Sequence, residues 1–328
     1  MKAFVVAALA FTTHATGDAT RSSANSSRTP SVAVLSVGLV RTMLHPQLTP
    51  SFALMTSSLA AARLPHALFV FASVAGEADT GEKRIASLRA RIEAAYHPRR
   101  VWLSKEDLKC VNCVGVDCRK QAKNDAFSIL RQFHKLHLAY RALRDYEAAS
   151  AQPPFDWVLK VRPDLVWFEP LPLASINTTA AIATGRGGAR VYVPHGVMSR
   201  RPEMQLHNDH VFLCPREACG PYFDRLITNY GACRGNVNKE AFFEEAYGGR
   251  TGMIEVAYTI ARESGPECER MVCSGNRIST GCTAPHLTKY VGACNKIRER
   301  WKQNAGNQPP SPGRVSSRRP SRVGGGGG

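Results

Sequence analysis

Apolar residues fall into short continuous runs and helical stripes that follow one another along the first third of the chain. The runs at 32–40, 67–73 and 100–103 are short and rich in strand-forming residues, so they predict buried β-strands. Between them, 50–63 carries an apolar stripe and 82–96 is predicted to be helical. Strands that alternate with helices favour an α/β fold, in which a mostly parallel sheet is flanked by helices.

The longest helical pattern covers 124–149, where apolar residues recur at spacings of three and four. Polar residues are mixed into its first half, among them Gln132, His134, Lys135 and His137. The two histidines are three residues apart, a spacing that a metal ion could use. A polar helix flank at the edge of the sheet is the more frequent explanation for such a pair.

A further apolar run at 155–161 predicts another buried strand, and charge enters at its end with Lys160, Arg162 and Asp164. Alternate residues of a strand face the same way, so we expect these three side chains to share one face. Pro163 lacks a backbone donor and should end the strand. Open α/β sheets bind ligands outside the carboxyl ends of their strands, so this group suits a metal–phosphate or another polar ligand. The alternative is an ion pair at the surface.

Two later strands are predicted at 191–194 and 211–214, and helical stretches are expected over 238–262. The polar run 207–210, which includes Asp209, stands directly before the second of these strands. Such a run could supply ligand-binding side chains or form a polar turn.

The first residues, 1–19, have the pattern of a secretory signal: a short basic start, a nine-residue apolar run and a small, polar cleavage region. That run is far shorter than the roughly 20 residues that cross a bilayer, and we expect no transmembrane span. Secretory entry predicts that most of the ten cysteines form disulfides. Cys110 and Cys113 have a zinc-like spacing, but no second pair follows nearby, which favours disulfides. Asn25 and Asn177 stand in glycosylation sequons that fit this route.

Composition divides the chain into five parts. A signal peptide (1–19) and a disordered stem (20–31) come first, and an α/β domain (32–262) follows. The chain continues with a disulfide-rich carboxyl-terminal lobe (263–302) and a disordered basic tail (303–328). Within the lobe, 264–294 holds four cysteines and is expected to be loop-like.

The formal net charge is +17, and after residue 295 eight basic residues stand against one acidic residue. The sequence has no zinc-finger spacing, no RNP-like motif and no basic heptad region, so we expect no nucleic-acid partner. A basic body suits an anionic small ligand such as a nucleoside diphosphate. A polyanion-binding role for the tail is the weakest alternative, because the tail has no interleaved aromatic residues.

Four segments together resemble glycosyltransferase-like proteins of GT-A type. They are a first strand ending in Gly38-x-x-Arg41, a long helix holding Gln132 and Lys135, the stretch FDWVLKVRPDLVW at 155–167, and NDHVFLCPRE at 208–217. The resemblance covers about 31–230, and its Arg-Pro-Asp strand is the most distinctive part. Lys160 stands where the family commonly has Arg.

The resemblance implies a GT-A-like sheet that binds a sugar nucleotide, with Asp164 in the place of the family's acidic metal-binding motif. A divalent ion, Mn²⁺ or Mg²⁺, would then join carboxylate and diphosphate oxygens and stabilise the departing nucleoside diphosphate. Asp209 would act on the acceptor side, as general base or as a hydrogen-bonding carboxylate. No Asp stands two residues before Asp164, so a metal-independent site is the alternative.

The same resemblance implies which residues bind the donor. Arg162 and Arg41 would make charge-assisted contacts with its phosphates. Gly38 would let the nucleotide lie close to the first strand. Gln132 and Lys135 are the substrate-binding candidates on the long helix.

The predicted function is therefore sugar transfer from a nucleotide sugar to a glycan or glycoprotein acceptor in the secretory pathway. The expected location is the lumen of the Golgi or endoplasmic reticulum, or outside the cell. The alternative is a secreted carbohydrate-binding protein, or a catalytically inactive transferase-like protein that keeps the sheet.

Overall fold

The computed structural model describes residues 29–74, 80–105, 126–173, 190–194, 210–225, 227–228, 246–254, 256–262, 265–266, 268 and 284–306. The predicted signal, most of the stem, Asp209 and the tail beyond residue 306 lie outside these residues. Both sequons, at Asn25 and Asn177, also lie outside them.

The described residues form ten strands and five helices. The strands are β1 (Val32–Leu39), β2 (His66–Ser73), β3 (Arg100–Ser104), β4 (Trp157–Val161), β5 (Leu165–Trp167), β6 (Val191–Pro194), β7 (Val211–Pro215), β8 (Thr251–Ile254), β9 (Tyr258–Arg262) and β10 (Gly265–Pro266). The helices are α1 (Val40–Met43), α2 (Leu48–Ala61), α3 (Glu82–Tyr96), α4 (Ala126–Ala149) and α5 (Ala284–Gly306).

Seven strands form the main sheet in the order β3-β2-β1-β4-β7-β6-β8. The strands from β3 to β4 are parallel to one another, β7 runs antiparallel to both neighbours, and β6 and β8 are parallel. The predicted α/β fold with a mostly parallel sheet is confirmed. Because β1 and β4 are parallel and β7 is reversed, the carboxyl ends of β1 and β4 lie beside the amino end of β7.

Strand β4 is at the centre of the core and is buried at all five positions. Val158 faces the apolar cluster beneath α4, whereas Leu159 and Val161 pack with Met55 of α2 on the other face. A strand covered on both faces is expected to be apolar throughout. Lys160 is the exception, and it is only 1% exposed.

A small antiparallel sheet, β10-β9-β5, packs against the main one. Strand β5 follows β4 after a three-residue break and pairs with β9, from Leu165 opposite Ile260 to Trp167 opposite Tyr258. The prediction of helical stretches over 238–262 is therefore wrong at β8 and β9. The β-branched and aromatic residues at 258–260 favour a strand, and their partner in β5 is far away in sequence.

Helix α5 corrects the expectation that 264–294 is loop-like, because it begins at Ala284 and continues to Gly306. Tyr290, Cys294, Ile297 and Trp301 recur at helical spacing and face the small sheet and its neighbours. Gly292 and Cys294 interrupt the apolar stripe, so the helical pattern was not recognised from the sequence. No helix in the described parts of the chain is long and apolar enough to cross a membrane.

Two of the predicted disulfides are present. Cys214 pairs with Cys219 at the end of β7, and Cys268 pairs with Cys294 of α5. The other six cysteines of the chain lie outside the described residues. The second disulfide fastens α5 to the segment that follows β10.

The contact between α5 and the loop after α1 should make the fold sensitive to acid. The His45 ring stacks on Trp301 with ring centroids 3.2 Å apart, and burial lowers the pKa of His45 to about 4. Since an unfolded histidine titrates near pH 6.5, the unfolded state binds this proton more tightly between those values. We expect folding stability to fall as the pH is lowered from about 6.5 to about 4.

The measurement is the midpoint of thermal unfolding of the wild type and of His45→Gln at several pH values. The variant should lose less stability on acidification, because every other titrating group is shared. Parallel pH profiles would show that His45 does not carry the effect.

Candidate functional site

The candidate site lies where the carboxyl ends of β1 and β4 meet the amino end of β7. The register of β1 with β4 places Ser36 opposite Val161, so Gly38 lies beside Pro163. Beyond the paired strands, the Arg162 amide donates a hydrogen bond to the carbonyl of His210 at 3.2 Å. The backbone around Arg162 is therefore held from both neighbouring strands.

Arg162 and Asp164 form a two-pronged ion pair at this edge. Nε donates to Oδ1 at 2.8 Å and Nη2 donates to Oδ2 at 2.7 Å. The side chains are only 24% and 13% exposed, so this is not the exposed surface pair that the sequence left open. Parallel N–H···O bonds of this kind fix the plane of a guanidinium as well as its position.

The charged groups around Asp164 keep it ionised. Its burial favours the neutral acid, but the hydrogen bonds and charge of Arg162, together with His210 and Arg262, outweigh burial and hold the pKa of Asp164 below its usual value. The Asp164 carbonyl also accepts a hydrogen bond from the Ala261 amide at 2.7 Å. Strand β9 therefore contributes both a backbone contact and the Arg262 charge to this site.

His210 and Tyr258 complete the described surroundings. The Tyr258 hydroxyl lies 3.4 Å from His210 Nδ1, and the two rings meet edge to face with centroids 5.9 Å apart. Sequence reasoning included His210 in a polar run but did not single out Tyr258 or Arg262. No local signal marks these two residues, because β9 reaches Asp164 only through the fold.

Lys160 is buried within β4. It occupies the fourth position of the strand, on the same face as Phe212, and its ammonium is 5.9 Å from the centre of the Tyr222 ring. The expectation that Lys160 joins Arg162 and Asp164 in one charged group at the strand end stays a prediction. The strand ends at Val161, so strict alternation of side chains stops before Arg162.

The described residues do not fit the divalent ion predicted at Asp164. Both Asp164 oxygens already accept hydrogen bonds from Arg162, and the neighbouring groups that act on this carboxylate are His210 and Arg262. A hard cation prefers several oxygen ligands and would have to displace a guanidinium here. Across the described part of the chain, no three His, Cys, Asp or Glu side chains come together as a metal site requires.

The Pro163 ring requires a glycine at position 38, a constraint that was not predicted from the sequence. A Cβ atom at Gly38 would lie 2.5 Å from Cδ and 2.6 Å from Cγ of Pro163. Glycine therefore lets the break between β4 and β5 pack against the end of β1. The predicted close approach of a nucleotide at Gly38 stays a prediction.

The other predicted donor-binding residues come from elements that border the same edge. Arg41 follows β1 in α1, and only its backbone is described. Gln132 and Lys135 are half-buried in the first half of α4. That half points toward the carboxyl ends of the strands, because Glu147 in the last turn of α4 accepts a hydrogen bond from the Phe155 amide, just before β4 begins.

A second buried arginine–carboxylate pair lies at the opposite end of β4. Arg216 pairs with Glu147 and also donates to the Tyr140 hydroxyl, and Glu147 accepts a hydrogen bond from the Phe155 amide at 3.2 Å. These contacts join α4 to the segments that flank β4 and β7. The pair is a structural counterpart of Arg162–Asp164, away from the candidate site.

A cleft of about 1020 Å³ also lies at the amino ends of β1 and β2, with His66, Tyr96 and Arg99 in its lining. Open α/β sheets bind their ligands at the other end of the strands. The chemistry of the ion pair and the position of the carboxyl ends both favour the candidate site over this cleft.

Comparison with protein-family models finds no match, and comparison with curated proteins finds none either. Among solved structures, the chain is similar to the galactosyltransferase LgtC in complex with donor and acceptor sugar analogues, at 10% identity over 83% of this chain and 99% of that chain, with a TM-score of 0.39. It is similar to the mannosyltransferase Ktr4p of S. cerevisiae in complex with GDP, at 8% identity over 84% and 82% of the two chains, with a TM-score of 0.43. Mouse xyloside xylosyltransferase 1 gives 10% identity over 70% and 85%, with a TM-score of 0.34. At these scores, the similarities carry no inference about donor or acceptor.

The packing of Gly38 on Pro163 predicts a clear effect of substitution. Gly38→Ala should lower the free energy of unfolding by about 1–3 kcal/mol, because the new methyl group has no room against the proline ring. Urea denaturation without any ligand measures this. Gly292→Ala is the control, because a Cβ atom there meets nothing within 4 Å and α5 should gain about 0.5–1 kcal/mol. Equal stability of Gly38→Ala and the wild type would contradict the packing argument.

Proposed function

We propose that this chain is a glycosyltransferase of GT-A type that moves a sugar from a nucleotide sugar to a glycan or glycoprotein acceptor. The observation that carries the proposal is the half-buried, two-pronged Arg162–Asp164 pair at the carboxyl end of β4. Nucleotides bind at this end of open α/β sheets, and an oriented guanidinium suits their phosphates.

The donor diphosphate would lie against Arg162, between the ends of β1 and β4. Arg41 follows β1 at this edge, and Gln132 and Lys135 come from the half of α4 that points toward it. These residues are the proposed binding partners of the phosphates and the sugar, since arginine, lysine and glutamine carry the cationic and amide donors that such groups accept. Gly38 would let the nucleotide approach β1.

In the transfer step, an acceptor hydroxyl oxygen forms a bond to the anomeric carbon of the donor sugar. The bond from that carbon to the diphosphate oxygen breaks, and its electron pair leaves with the nucleoside diphosphate. The hydroxyl proton passes to a general base, for which Asp209 is the proposed residue. Asp209 lies outside the described residues and directly precedes His210 at the site. No step is assigned to Mn²⁺ or Mg²⁺, because the described residues do not fit a divalent ion.

The proposed location is the secretory pathway, in the lumen of the Golgi or endoplasmic reticulum, or outside the cell. Disulfides such as Cys214–Cys219 and Cys268–Cys294 persist in oxidising compartments, which supports this location. The signal at 1–19 and glycosylation at Asn25 and Asn177 are part of the same proposal.

The test is a thermal-shift panel with UDP-, GDP- and CMP-sugars, followed by an assay of sugar transfer with the nucleotide that binds. A ligand that binds only the folded state adds about 2.7 kcal/mol to the free energy of unfolding at a hundredfold excess over Kd, and the melting midpoint rises as a result. One nucleotide class should shift the wild type, and Arg162→Ala should abolish that shift.

Arg144→Ala is the matched control, because Arg144 also pairs with an aspartate, Asp224, but lies on the flank of α4 and is 44% exposed. It should keep the full nucleotide shift. No shift with any nucleotide in folded wild-type protein would contradict the proposal, and binding to a glycan array would then favour the carbohydrate-binding alternative.

A further inference from the structure

The candidate site offers a cationic side chain, Arg162, to the diphosphate of the proposed donor. Resting on the proposed function, we propose that the Arg162 guanidinium, held by Asp164, binds the donor diphosphate without a divalent ion. Asp164 is then a positioning residue that acts through Arg162 and does not touch the substrate. This reverses the metal-ligand role that the sequence resemblance implies for Asp164.

The contacts of Asp164 give the first reason. Each of its two oxygens accepts one hydrogen bond from Arg162, at 2.8 and 2.7 Å. An ion at Asp164 would compete with this guanidinium for the carboxylate oxygens, and without displacing it the two cations would stand side by side in a half-buried position. That exchange gives up two charge-assisted hydrogen bonds and adds like-charge repulsion.

The rigidity of the segment gives the second reason. Arg162, Pro163 and Asp164 bridge the end of β4 and the start of β5, and both bridge ends are tied by backbone hydrogen bonds, to His210 at 3.2 Å and from Ala261 at 2.7 Å. Pro163 fixes its own φ angle and restricts the residue before it. The guanidinium is therefore oriented before a ligand arrives, which reduces the ordering cost of binding.

The donor chemistry of arginine gives the third reason. A guanidinium carries five N–H donors, and the Asp164 carboxylate accepts two of them. The planar fork that matches the carboxylate oxygens also matches the oxygens of a phosphate. Arg262 on β9 acts on Asp164 as a second cation. Two guanidinium groups near one strand end favour a polyanionic diphosphate and its growing charge as the glycosidic bond breaks.

The experiment measures the binding of UDP and GDP to the full-length protein by calorimetry, in buffer with EDTA and in buffer with Mn²⁺. The wild type should bind one of the two nucleotides with a Kd that differs by less than about twofold between the buffers. Arg162→Lys keeps the charge but loses the planar fork, so its Kd should rise about tenfold or more in both buffers.

Asp164→Asn removes the charge that orients the guanidinium and should also weaken binding in both buffers. In the double variant Arg162→Ala/Asp164→Ala, the loss of Asp164 should cause no loss of affinity beyond that of Arg162→Ala alone, since Asp164 acts only through Arg162. Arg162→Ala alone leaves the Asp164 carboxylate without its cation, which destabilises the fold. The double variant has no such carboxylate and should therefore stay folded.

Arg216→Lys is the matched control, because it breaks the fork of the other buried pair, Arg216–Glu147, at the opposite end of β4. It should lower the melting midpoint but leave the Kd unchanged. If Arg162→Lys behaves in the same way, the ion pair is only structural and the inference is wrong.

Binding of the wild type only in Mn²⁺, with Asp164→Asn losing that metal dependence, would also overturn the inference, while the proposed function would stand. Absence of binding for both nucleotides in both buffers, with CMP included as a third probe, would instead overturn the proposed function and this inference with it.

Discussion

The ion pair of Arg162 and Asp164 is the constraint on which the central part of this structure depends. Removing two charges from water is costly, and the cost is recovered only when geometry is close to ideal and the remaining polar atoms are satisfied. The two parallel hydrogen bonds have close to ideal geometry, and β7 and β9 hold the two ends of the Arg-Pro-Asp segment through backbone hydrogen bonds. The main sheet and the small sheet are thus joined at the same three residues that carry the candidate chemistry.

The strand break at Pro163 and the glycine at 38 are two parts of one solution. A proline cannot continue the ladder, so β4 must end, and the ring must then find space beside β1. Only a residue without a side chain provides that space. The position of the guanidinium is therefore set by packing as well as by charge.

Local sequence patterns were sufficient for most of the parallel half of the fold. Helix α3 and strand β6 have the predicted bounds, and β4 was found because charge at the end of an apolar run is unusual. Arg162 and Asp164 were found for the same reason. Tyr258 and Arg262 could not be predicted, because their place at the site depends on pairing between β5 and β9. Helix α5 was missed because its apolar stripe is interrupted by Gly292 and Cys294.

The docking of α5 on the small sheet has a consequence for how the chain assembles. Strands β1 to β4 can pair as soon as they have been synthesised, but the β9 partner of the Asp164 carbonyl comes much later, and the disulfide and tryptophan that secure α5 over β9 come later still. Contacts between segments so distant in sequence form slowly. On a nascent chain, the charged edge is therefore completed last, after the parallel half has formed, and a ligand can meet the finished edge only once the carboxyl-terminal helix has been synthesised.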